Sequence, residues 1–155
     1  MVEHKEYLTQ EKYDELHKEL EHLKKVRRKE VAEDLGYAKS LGDLSENAEY
    51  HEARDLQASI EDRILKLENI LKNAEIMSIH HTDVVGIGST VIVQREGDKK
   101  DHKFEIVGSE EADVTHGKLS IHSPLGEAMM NKKKGENFSF TSPKGKMTYK
   151  ILDIE

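Results

Sequence analysis

The chain has 155 residues, a net charge of −7, and equal hydrophobic and charged contents of 35% each. That balance excludes one large core and favours extended, charge-rich helices beside a smaller globular part. The absence of cysteine excludes disulfides and thiolate metal sites and fits a cytoplasmic setting.

The N-terminus, MVEHKEYLTQEK, lacks the apolar core of a signal peptide, and no run of 18 apolar residues is present to span a membrane. Residues 1–79 hold 19 acids and 13 bases, whereas residues 80–155 hold 12 and 11. The acidic half nevertheless contains the densest basic run, KKVRRK at 24–29, so any contact with nucleic acid must be local.

Residues 10–75 contain no proline. Apolar residues recur at Tyr13, Leu16, Leu20 and Leu23, then at Ile60, Ile64, Leu67, Leu71 and Ala74. Steps of three and four are those of a coiled-coil seam. Between them the stepping slips through Val26, Val31, Leu35 and Ala38, and Gly36 and Gly42 weaken the helix. The pattern predicts an antiparallel α-helical coiled-coil hairpin over 1–78, turning near Ser40–Gly42, with a first helix about 40 Å long. One continuous helix in a dimeric coiled coil is the alternative; the hairpin implies a monomer.

Residues 79–155 read as a small β-rich domain. STVIVQRE, HKFEIVG and KLSIHS alternate apolar and polar residues, and NFSFTS and KMTYKILDI flank the turn Pro143-Lys144-Gly145. Ser123 and Pro124 suit the start of a short helix, and Gly135 can end the lysine-rich stretch that follows. The domain boundary is expected near Ser78–Asp83. His80-His81 is the sole adjacent pair among nine histidines, and no HExxH pattern predicts zinc. Met129-Met130 reads as core filling.

GDLSENAEY, at 42–50, carries the sharpest question. Asp43 and Glu46 fit a capping box, with Asp43 at the N-cap and Glu46 at the third helical position. The same acids at an exposed tip could instead be presented to a partner. Two side chains cannot satisfy Mg²⁺, which takes six oxygens, so such a site would be completed only inside a partner that already holds metal. Both readings stay open on the residues alone.

The stretch GDLSENAEY, with KKVRRKE before it and HEAR after it, resembles the tip region of the bacterial Gre transcript cleavage factors. The likeness continues through LTQEKYDELHKEL, VVGIGSTVIV, IVGSEEAD and SPLGEAMMNKKKGE, and AEYHEAR is similar to the GreA type. The resemblance implies an α+β chain: the hairpin followed by an FKBP-like C-terminal domain. It also implies an accessory factor of bacterial RNA polymerase, one that threads the secondary channel and stimulates the enzyme's own Mg²⁺-dependent cleavage of a backtracked RNA 3′ end. Asp43 would then help retain a metal ion held mainly by the polymerase, and Glu46 would position or activate water. Asn47 and Tyr50 would touch RNA or polymerase loops, with packing across the hairpin as the other reading of Tyr50. Lys24, Arg27 and Arg28 would form a phosphate-attracting patch. The alternative for these bases is a solvated face with pairs such as Glu21–Lys25 and partners such as Glu61 across the hairpin. Ser123, Pro124 and Leu125 would lie near the polymerase-docking surface, with helix initiation as the other reading. A non-cleaving inhibitor of the same channel should depart from the tip motif. A coiled-coil adaptor would leave both the tip and the second domain unexplained.

Overall fold

The computed structural model describes residues 5–43, 45–77 and 83–155. The chain divides into two compact units, Glu11–Ala74 and Glu75–Glu155, the second of which also takes in residues 5–10. The hairpin and the β-rich module expected from the sequence are both present.

In the first unit α1 (Gln10–His22) runs through a π-helical turn, Leu23–Arg27, into α2 (Arg28–Ser40), and α3 (Ala48–Lys72) returns alongside. The π turn explains the slip in the seam. Leu16 and Leu23 are seven residues apart and so are Val31 and Ala38, but Leu23 and Val31 are eight apart. The Arg28 amide reaches back to the Leu23 carbonyl, an i to i−5 bond that takes up the extra residue. Leu16, Val31 and Ala38 are thereby all buried, each at most 2% exposed. Val31 packs with Ile60 and Ile64, flanked by Leu20 and Leu23. On α3 the buried Ala53, Ile60 and Leu67 keep an unbroken spacing of seven.

In the second unit a five-stranded sheet has the order β5-β4-β3-β7-β6. Its strands are β3 (Thr90–Arg95), β4 (Asp101–Val107), β5 (Lys118–Ser120), β6 (Asn137–Ser142) and β7 (Gly145–Ile154). Pairing is antiparallel except between β4 and β5. The register of β3 on β7 shifts between Ile92 and Val93, a local bulge. The short helix α4 (Pro124–Met129) covers a core of Val85, Val91, Val93, Ile106, Leu119, Met129, Phe138 and Ile151. Met129 is fully buried there, as core filling requires.

Two short strands escape a reading of the sequence. β1 (Glu6–Leu8) pairs with β2 (Ala74–Ile76), and the Met77 amide donates to the Leu8 carbonyl at 2.9 Å. β1 lies against Gly108, where an added Cβ would sit 1.9 Å from the Tyr7 carbonyl oxygen. Just beyond it, Thr9 donates its amide and its hydroxyl to the two carboxylate oxygens of Glu111, at 3.0 and 2.8 Å. The expected boundary around residue 80 and the His80-His81 pair lie outside the described residues.

Candidate functional site at the hairpin tip

The loop between α2 and α3 carries the acids, and the expected capping box is not formed. Asn47, not Asp43, caps α3: its side-chain oxygen accepts the Tyr50 amide at 3.0 Å. Its side-chain nitrogen donates to the Ala38 carbonyl at 2.6 Å, closing the loop onto the end of α2. Asparagine is as good an N-cap as aspartate, and only asparagine also brings a donor. Glu46 therefore precedes the helix and does not occupy its third position. Asp43 and Glu46 sit on the loop and not on one helical face.

Asp43 is exposed and follows Gly42, whose φ of 127° takes the chain through a conformation that favours glycine. One Asp43 carboxylate oxygen accepts the Ser45 amide at 3.0 Å and the Ser45 hydroxyl at 2.9 Å. The amide first, and then the hydroxyl, hold the carboxyl below its usual range, so it is ionised at neutral pH. Glu46 is likewise exposed. His51, one turn into α3, places Nε2 3.3 Å from the Ser45 carbonyl, and its ring meets Tyr50 edge-on at 5.7 Å. Tyr50 is half-buried, whereas Asn47 is only 8% exposed.

Two carboxylates, one of them already bonded to Ser45, supply only part of an octahedral oxygen shell. Among the described residues no group of three or more acids and histidines stands ready for a metal ion. A Mg²⁺ ion, which takes six oxygens, would need most of its shell from elsewhere.

Further down the stem, about 20 Å from the tip by the α-helical rise, the basic run is threaded with ion pairs. Arg28 donates Nε and one terminal nitrogen to Glu61 across the hairpin, both at 2.7 Å. Lys24 pairs with Glu68, Arg27 with Glu30, and Lys25 with Glu21 at 3.0 Å. All of these side chains remain substantially exposed, and the π turn spans Leu23 to Arg27 beneath them. The Arg28 guanidinium, donating to Glu61, holds that carboxyl below its usual range.

In the β-rich unit, Ser123 caps α4. Its hydroxyl accepts the Gly126 amide at 3.0 Å and donates to the Ser120 carbonyl at 2.7 Å. Gly126 is needed because a Cβ there would sit 2.1 Å from the Ser120 carbonyl oxygen. Leu125 is half-buried against the core, and Pro124 is exposed. Helix initiation accounts for the Ser-Pro pair locally.

Comparison with known proteins agrees with this layout. Residues 6–76 match the family described as transcription elongation factor, N-terminal, and residues 80–155 match transcription elongation factor, GreA/GreB, C-term. The chain is 48% identical over 157 aligned positions to transcription elongation factor GreA of Clostridioides difficile, covering 99% of each. It is 47% identical to GreA of Acetivibrio thermocellus, covering 95% of this chain and 94% of that one. A solved structure of GreA factor homolog 1 of Thermus thermophilus aligns at 29% identity over 98% of this chain and 99% of that one, with a TM-score of 0.46. A tip loop bearing Asp43 and Glu46 on a helical hairpin, a β-rich second unit and these matches along both make the chain a member of the GreA/GreB family of transcription elongation factors.

Proposed function

We propose that this chain binds backtracked bacterial RNA polymerase through its secondary channel and stimulates the polymerase's own cleavage of the nascent RNA 3′ end, rescuing arrested complexes. The observation that carries this reading is the tip. Asn47 does the capping and the loop closure, so neither task falls to Asp43 or Glu46, which stand exposed at the end of a long hairpin. Family membership supplies the context of transcript elongation.

In this reading the factor is no nuclease by itself. Asp43, ionised and held by Ser45, would offer a carboxylate oxygen to a metal ion held mainly by the polymerase. Mg²⁺, held mainly by the polymerase, would supply the polarisation of the phosphodiester and of the attacking water. Glu46 orients that water and takes up its proton. Lys24, Arg27 and Arg28 attract the extruded RNA, whose phosphates must displace Glu68, Glu30 and Glu61 from them. The β-rich unit docks at the channel mouth through the surface around Ser123, Pro124 and Leu125, with Pro124 its exposed member. The factor acts as a monomer.

The test is a stalled, backtracked polymerase carrying 3′-labelled RNA, given this protein and Mg²⁺. Release of short labelled fragments that depends on the protein is expected. RNA that stays intact, or naked RNA cut by polymerase-free protein, would overturn the proposal.

A further inference from the structure

Ser45 is bonded on both sides. Its amide and hydroxyl donate to the same Asp43 oxygen, at 3.0 and 2.9 Å, while its carbonyl lies 3.3 Å from His51 Nε2. Asp43 and Ser45 belong to the loop, and His51 belongs to the first turns of α3. That end of α3 is fixed by the Asn47 cap and by the Asn47 bond to Ala38. The chain of contacts therefore runs from a rigid helix through His51 and Ser45 to the Asp43 carboxylate. Without His51, the side-chain bonds that remain among the described residues between Gly42 and Asn47 are those of Asp43 with Ser45, which are internal to the segment and do not tie it to the helix.

We infer that His51, acting through Ser45, is a positioning residue: it latches the acid-bearing loop to α3 and so aims the Asp43 carboxylate. The inference rests on the cleavage reading above. The imidazole donates to the Ser45 carbonyl as the Nε2–H tautomer and as the imidazolium alike, so the latch does not require a charged histidine. The Tyr50 ring, edge-on to His51, limits the rotamers that the imidazole can take. Sequence reasoning passes over His51 because the contact spans six residues and leaves no short motif.

Three variants test the latch, each with two readouts. His51→Leu removes the donor, and His51→Gln keeps one at nearly the same reach. Ser45→Ala removes the hydroxyl but keeps the carbonyl. In backtracked complexes saturated with the factor, His51→Leu should lower the cleavage rate about three- to tenfold, the population change expected from losing one modest hydrogen bond. The concentration giving half-maximal stimulation should stay unchanged, because docking is untouched. His51→Gln should recover most of the rate, and Ser45→Ala should lose less than His51→Leu. In the free chain, amide hydrogen exchange at Ser45 and Glu46 should quicken in His51→Leu and not in His51→Gln, with the melting temperature unaltered. Equal exchange in wild type and His51→Leu, or a His51→Gln rate as low as that of His51→Leu, would remove the latch. A wild-type chain without cleavage activity would instead remove the reading on which the inference rests.

Discussion

Asn47 donates to the Ala38 carbonyl at 2.6 Å and accepts from the Tyr50 amide at 3.0 Å, so one buried side chain ends α2 and begins α3. This pairing leaves neither the capping nor the loop closure to Asp43 or Glu46.

Stability and activity should accordingly divide between neighbouring residues. Asn47→Ala loses the cap and the shorter of two hydrogen bonds to the Ala38 carbonyl, which keeps only the Leu41 amide at 3.2 Å, at a cost of about 1–2 kcal/mol. Asn47→Asp keeps the cap acceptor but sets a carboxylate against that carbonyl, and it should also melt early. Asp43→Asn, Asp43→Ala and Glu46→Gln should melt like wild type yet lose most stimulated cleavage, since amides are poor Mg²⁺ ligands and take no proton from water. Thermal melts beside cleavage assays check the division. A normal cleavage rate in Asp43→Asn would end the catalytic assignment.

The Arg28–Glu61 pair predicts a gain of function. Glu61→Gln weakens the competitor for Arg28 without touching the base itself. With extruded RNA reaching the patch as proposed, deeply backtracked complexes should respond more strongly to Glu61→Gln and more weakly to Arg28→Ala, and both effects should shrink as salt rises. Neither variant should shift the melting temperature much, because both side chains are exposed. Titrations at two salt concentrations would reveal it.

The π turn predicts an asymmetry between losing and gaining a residue. Removing Lys25 should convert Leu23–Arg27 to ordinary α-helix with Val31 and Ala38 still on the seam, and the hairpin should fold with undiminished stability. Inserting one alanine after Lys25 should rotate both buried residues off the seam by about 100°. Loss of their packing should cost roughly 2–4 kcal/mol. Circular dichroism melts of the two variants give the comparison.

Asp113 sets a pH-dependent element in the β-rich unit. The Thr115 hydroxyl, followed by His116 with Nδ1 at 2.6 Å, lowers its carboxyl to about 2. Because the folded value lies below the unfolded one, the contribution to stability is present above about pH 4 and is lost as pH falls toward 2. Thr115→Val removes the largest cause, so the Asp113 midpoint should move up toward 3.8, as carboxyl NMR titration can follow.

Both units were legible in the sequence for a physical reason: long periodic segments repeat their signal many times. Leu16, Ile60, Ile64 and Leu67 are buried as their spacing predicts, and the strands from Thr90 to Ile154 fall on the alternating segments. The ion pairs Glu21–Lys25 and Arg28–Glu61 follow from helical spacing and from the hairpin's register. The cap was misread because Asp43 and Glu46 satisfy a local rule, whereas Asn47 wins through a bond to Ala38, nine residues back. β1 and β2 are three residues each, too short for alternation to show, and they form because each finds the other across the chain. The parallel pairing of β4 with the three-residue β5 is hidden for the same reason.

In an unbroken α-helix, distance along the axis and angle around it are locked together at 1.5 Å and 100° per residue. A feature moved closer to one end must also swing around the stem. The π turn at Leu23–Arg27 breaks that lock at one place, because it admits a residue with little added length. Reach and azimuth become separately adjustable: the stretch beyond the turn sets how far Asp43 extends, and the turn itself sets which side of the stem Arg28 faces. The lock is broken in one direction only: the turn can give up its extra residue and leave Val31 and Ala38 facing α3, whereas a further residue would swing both away from it.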